Sequence, residues 1–155
     1  MIKIESSVVI ERPVEQVFAF LADLENAPKW QSGLTDSTKL TDGAIGVGTK
    51  FREVIRIVGR PVETVCEITA YEPGRRMQFK SNSSKVIQYT VEYSFHAVGG
   101  DTRIEATGET QLGGIWRVIE LLFAGEVKRE AKAELQRLKE VLEAESSHRP
   151  LEHTA

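Results

Sequence analysis

Apolar and polar residues change their period along this chain in a way that marks out its elements. From Ile2 to Ile10, Ile4, Val8 and Ile10 stand at even positions, which predicts a first strand. Val14, Val17, Phe18 and Leu21 then follow at helical spacing, and Leu24 continues the face. Pro13 suits the first turn of that helix, where its missing N–H would have had no partner, and Glu15 favours its positive end. Arg12 is a poor N-cap by type. Asn26 and Pro28 should end the helix, with a short second helical turn carrying Trp30. The middle reads as hairpins: a weak strand at Thr35–Leu40, a glycine-rich stretch at Asp42–Gly48, and strands at Thr49–Val58, Val62–Tyr71, Arg75–Ser81, Val86–Val98 and Thr102–Leu112. The turns between them are expected at Gly59-Arg60-Pro61, Glu72-Pro73-Gly74 and Gly99-Gly100-Asp101. Strands in series joined by short turns predict an antiparallel meander.

Gly113-Gly114 breaks the strand pattern, and a helix is predicted from about Ile115 to about Ala144, roughly 45 Å at ~1.5 Å per residue. Val127, Ala131, Leu135, Leu138 and Leu142 form one stripe, with Lys128, Arg129, Lys132 and Lys139 off it. From Ile115 to Phe123 apolar groups surround the axis, so this part should be covered on most sides. Either it lines a pocket mouth or it meets a second copy of the chain in a homodimer. Gly125 stands where the two patterns meet and permits a bend.

Strand alternation predicts an inner face. Phe51, Glu53, Ile55 and Ile57 should point inward opposite Lys50, Arg52 and Arg56. Val62, Thr64, Cys66, Ile68 and Ala70 follow in the next strand, and then Met77 and Phe79. Tyr89, Val91, Tyr93 and Phe95 continue the face, and Ile104 and Ala106 close it. A bulge would invert any of these assignments beyond it. One long helix against one curled sheet leaves a hollow between them. The reading is an α+β container for a small hydrophobic molecule, lipid-like or polyketide-like. Its ligand-binding residues are Trp30, Phe51, Glu53, Ile55, Cys66, Ile68, Met77, Phe79, Tyr89, Val91 and Tyr93, with Ile119, Phe123 and Val127 from the helix. For each apolar residue alone, plain core filling explains it as well. Trp30 is either core or a cap on the mouth.

Composition narrows the function. Lys and Arg number 20 against 23 Asp and Glu, a net charge of −3 without a basic cluster, which argues against nucleic-acid binding. A chain of 155 residues fits one domain, read as residues 1–145 with a disordered tail at 146–155. The single cysteine, Cys66, forms no intrachain disulfide, and with no apolar run of ~18 residues a cytoplasmic, non-spanning protein is expected. His148 and His153 lie in the tail and His96 points outward, so no metal, no cofactor and no Ser-His-Asp triad are expected. Cys66 reads as a small buried hydrophobe. Gly43, Gly46 and Gly48 read as turn glycines, since neither Gly-Lys-Ser nor a helix follows.

Glu53 is the single residue with catalytic potential. On an apolar face, unpaired, its carboxyl would be pushed up by desolvation toward acid–base use. The plainer reading places it at the open end of the strand or against an arginine.

The ordered set of Pro13 before a helix, Asp23, Trp30, Gly46-Val47-Gly48-Thr49 before a strand, Gly100-Asp101-Thr102-Arg103 and the closing LQRLKEVLE resembles the polyketide cyclase/dehydrase-like proteins. These belong to the superfamily that also holds the START and birch-pollen-allergen-like domains (SRPBCC). The resemblance spans about Ile2 to Glu143. It implies a helix-grip fold, with a seven-stranded antiparallel sheet wrapped around the C-terminal helix, two short helices after strand 1, and an apolar pocket. It implies either a carrier or a cyclase/dehydratase-type enzyme. In the enzyme, Glu53 would take a proton next to a carbonyl while Tyr89 or Tyr93 stabilised the oxyanion.

Overall fold

The computed structural model describes residues 1–148. The strands are β1 (Ile2–Ile10), β2 (Leu34–Lys39), β3 (Lys50–Ile57), β4 (Arg60–Glu72), β5 (Arg76–Ser81), β6 (Ile87–Val98) and β7 (Asp101–Leu112). Helix α1 (Val14–Ala22) and a 3-10 helix (Leu24–Lys29) lie between β1 and β2, and α2 (Trp116–His148) closes the chain. All seven strands form one antiparallel sheet in the order β1-β7-β6-β5-β4-β3-β2. Each hairpin neighbour pairs with the next. Only β1 pairs out of sequence, because α1 carries the chain away before β2 begins. The sheet grips α2, which is the helix-grip fold.

Several boundaries differ from the sequence reading. Helix α1 ends at Ala22 because Asp23 is extended and its carboxylate accepts the Glu25 N–H at 3.1 Å, starting the 3-10 helix. Asn26 and Pro28 therefore sit inside the second helix, and Trp30 is its C-cap. The α1 N-cap is Pro13, not Arg12, and no side chain caps it. The β3–β4 turn is Val58-Gly59, one residue earlier than expected, so Arg60 and Pro61 belong to β4. Its φ angles are +49° and +76°. A two-residue hairpin needs such left-handed residues, and a β-branched valine adopts them at a cost of ~1–3 kcal/mol. In β4 the register shifts between Ile68 and Ala70. Beyond that bulge Tyr71 turns inward onto Phe18 (ring centroids 5.2 Å apart), while Ala70 pairs with outward Gln78. The inward assignment of Ala70 is thus reversed.

The two ends of the grip differ. At one end α1 fills the space: Phe18 stacks edge-on against Tyr71 and Phe95, with Ile10, Ile104 and Leu142 buried beside them. Leu135, Leu138 and Leu142 anchor the C-terminal half of α2, as the stripe predicted. Lys139 donates to the Val9 carbonyl at 3.0 Å, and Glu143 accepts the Glu11 N–H at 3.0 Å. At the other end no helix fills the interior. There Ile115 is 83% exposed and Leu121 84%, with Val118 and Leu122 also exposed. The expected cover over this surface is absent among the described residues. A polar tie holds this half instead: Glu120 is buried, accepts the Leu112 N–H at 2.9 Å and pairs with the Met1 ammonium. Helix α2 runs unbroken through Gly125 and on through His148, past the predicted start of a tail at Ser146; residues 149–155 lie outside the described residues.

Such a helix should open unevenly. In amide hydrogen exchange, residues 121–127 should exchange on the order of tenfold or more faster than residues 135–142. Equal protection along α2 would contradict this account of what anchors it.

Candidate functional site

The unfilled end of the grip is a cavity of about 740 Å³. Its roof is the row Ile119, Phe123, Val127, Ala131 and Leu135, spaced four apart so that successive turns present one face. Its floor comes from inward positions of β3, β6, β7 and β1: Ile55 and Ile57, then Tyr89, Val91 and Tyr93, then Ala106 and Gly108, then Ile2 and Ile4. Trp30 and the Gln31–Gly33 loop form a side wall, and Val58 at the strained turn stands at the rim. Trp30 is both core and wall: it is buried, its ring lies edge-on to Tyr93, and Arg137 Nε donates to its carbonyl at 3.0 Å.

Of the residues that the sequence marks for a ligand, the structure brings Trp30, Ile55, Tyr89, Val91, Tyr93, Ile119, Phe123 and Val127 into this wall. It places Phe51, Glu53, Cys66, Ile68, Met77 and Phe79 elsewhere. All six are buried in packed core beyond the cavity wall. The reason is local: alternation sets the face of a strand, but α1 and the 3-10 helix decide how far along that face the interior is already full.

Glu53 occupies neither of the ordinary places read for it. It is 3% exposed, so it is not a solvated strand end, and no arginine among the described residues pairs with it. The Tyr89 hydroxyl donates to its Oε1. Desolvation pushes its pKa up to about 7, and the Tyr89 hydrogen bond opposes that rise. Its register neighbours are Ser37 on β2 and Thr64 on β4. Thr64 shares hydrogen bonds with Ser81 and Ser83, whereas Ser37 Oγ is buried without a partner among the described residues. Burial also pushes the Tyr89 hydroxyl and the Cys66 thiol up, leaving both protonated and the thiol unreactive. Glu53 itself is outside the cavity wall, whereas Tyr89, which bonds it, lines the cavity.

One functional candidate was missed from sequence. Glu134 projects from α2 into the cavity wall, with Glu130 and Glu126 one and two turns earlier. Ser32 and Arg137 both bond Glu130, which holds its carboxyl below the usual range. Glu134 has no hydrogen-bond or ion-pair partner among the described residues, and desolvation, reinforced by the Glu130 charge and opposed by Arg137, pushes it up to about 7. The signal was present: these glutamates repeat every four residues, one position behind the roof row, and so run along its edge.

The family model for polyketide cyclase/dehydrase and lipid transport matches residues 1–143. No curated protein matches the sequence. Among solved structures, TTHA0849 from Thermus thermophilus is 20% identical with a TM-score of 0.77, covering 93% of this chain and 99% of that one. The Zhui aromatase/cyclase from a Streptomyces species is 15% identical with a TM-score of 0.73, covering 91% and 93%. Ara h 8.0201 is 14% identical with a TM-score of 0.66, covering 92% and 97%. At these identities the likeness is one of fold.

Proposed function

The chain belongs to the polyketide cyclase/dehydrase and lipid transport family, and from that premise we propose that it binds and carries a small apolar molecule in the cavity under α2. The cavity itself carries the reading. About 740 Å³, walled mainly by aliphatic and aromatic side chains with a few polar groups, suits a small-molecule ligand. The placement of Glu53 supports carriage over cyclase or dehydratase chemistry. A general base needs reach to the proton it removes, and here Glu53 is outside the cavity wall with its Oε1 held by the Tyr89 hydroxyl. No described helix is long and apolar enough to cross a membrane.

Native mass spectrometry of the purified protein tests this. The parent should carry an apolar adduct, or take one up from a lipid extract. Ala131→Trp, which fills the roof from within, should lose the adduct while keeping the fold by circular dichroism. A parent that never takes up an apolar molecule, or a filled variant that binds as before, would overturn the reading.

A further inference from the structure

Glu134 sets the chemistry of the occupant. Building on the carrier reading, we infer that the cavity selects an apolar molecule bearing a hydrogen-bond donor, a hydroxyl or an amine, and rejects one ending in a carboxylate.

Among the described residues, the inner wall on α2 offers carboxyl acceptors, and the basic side chain of the lining, Arg56, stands out at the rim. Glu134 is an unpartnered carboxyl facing the cavity from α2, with Tyr93 opposite it on β6. Arg137 lies within reach of the glutamate row, but its guanidinium is taken up by Glu130 and the Trp30 carbonyl. The Met1 ammonium is held by Glu120. A carboxylate seated at Glu134, inward of the rim, would lose its water beside glutamates that repel it. A hydroxyl or amine donates to Glu134 and satisfies a half-buried group that nothing else among the described residues satisfies.

Isothermal titration calorimetry at pH 8.5, where Glu134 is ionised, with dodecylamine, dodecanol and dodecanoate below their aggregation concentrations decides the point. The amine and the alcohol should bind on the order of tenfold or more tighter than the acid. Glu134→Gln keeps an acceptor oxygen and removes the charge. It should erase most of the amine preference, spare the alcohol and strengthen the acid. Glu140→Gln removes an equal charge from an exposed position outside the cavity wall and should change nothing, which separates a site effect from general attraction to an acidic protein. If dodecanoate binds the parent as tightly as the amine, or Glu134→Gln keeps the amine preference, the inference fails and the carrier reading stands. If none of the three binds, the carrier reading fails and this inference falls with it.

Discussion

Glu53→Gln should stabilise the protein above pH 7 by about 2 kcal/mol, with the gain lost as pH falls and turned into a cost of about 1 kcal/mol below pH 4.5. The carboxyl has a folded pKa of about 7 against an ordinary 4.5, so between those values the folded state holds a proton that the unfolded chain has released. Where the folded state binds more protons, stability falls as pH rises. The parent therefore loses stability through this group from about pH 4.5 to about 7 and no more above it. A shift of roughly 2.5 units amounts to about 3 kcal/mol. Glutamine keeps an oxygen for the Tyr89 hydroxyl, and Ser37, its register neighbour on β2, has a buried Oγ without a partner among the described residues that its new N–H group would be placed to use. Allowing for burial of the amide brings the expected gain to about 2 kcal/mol. Urea unfolding of parent and variant across pH 4.5–8.5 reads the difference directly. A difference independent of pH, or a variant less stable than the parent at pH 8, would mean that the carboxyl is better compensated than its neighbours indicate.

Leu138→Ala should cost ~2–5 kcal/mol, whereas Leu122→Ala should change stability by less than about 0.5 kcal/mol. Both are leucines of α2, so helix propensity changes alike in the two. Leu138 is fully buried in the anchored half, and truncation there leaves a void that rigid neighbours on the sheet cannot close. Leu122 is 72% exposed. Denaturant midpoints with unchanged m-values report the contrast. Similar losses at both positions would mean that the N-terminal half of α2 is covered in solution.

The sheet was legible because its strands are amphipathic with period two and its turns carry glycine or proline. Inward residues from Phe51 to Ile104 follow from alternation alone until the β4 bulge, where one extra residue exchanges Ala70 for Tyr71. Nothing in the sequence around Thr69 marks that shift. The stripe of α2 was equally plain. What alternation cannot express is depth. Phe51 and Ile55 share a strand face, yet one is fully packed and the other borders open space, because α1 and the 3-10 helix come in from elsewhere in the chain. Glu53 was read correctly as inward, but its partner Tyr89 lies on β6, across β4 and β5, a distance no local pattern conveys. Glu134 was overlooked because a glutamate on a long charged helix reads as solvated surface.

The division of α2 separates two lifetimes that one helix would ordinarily link. Leu135, Leu138 and Leu142 hold the helix to the sheet, so the residence time of the fold is set there. The other half, where Ile119 and Phe123 lie over the cavity, is held by the pair of bonds on Glu120. On the carrier reading, the rate of loading and release should then follow a few polar contacts at the mouth, with the core intact throughout. A change that hastens unfolding at Leu138 should leave that rate as it was, and a change at Glu120 should alter it while the protein remains folded.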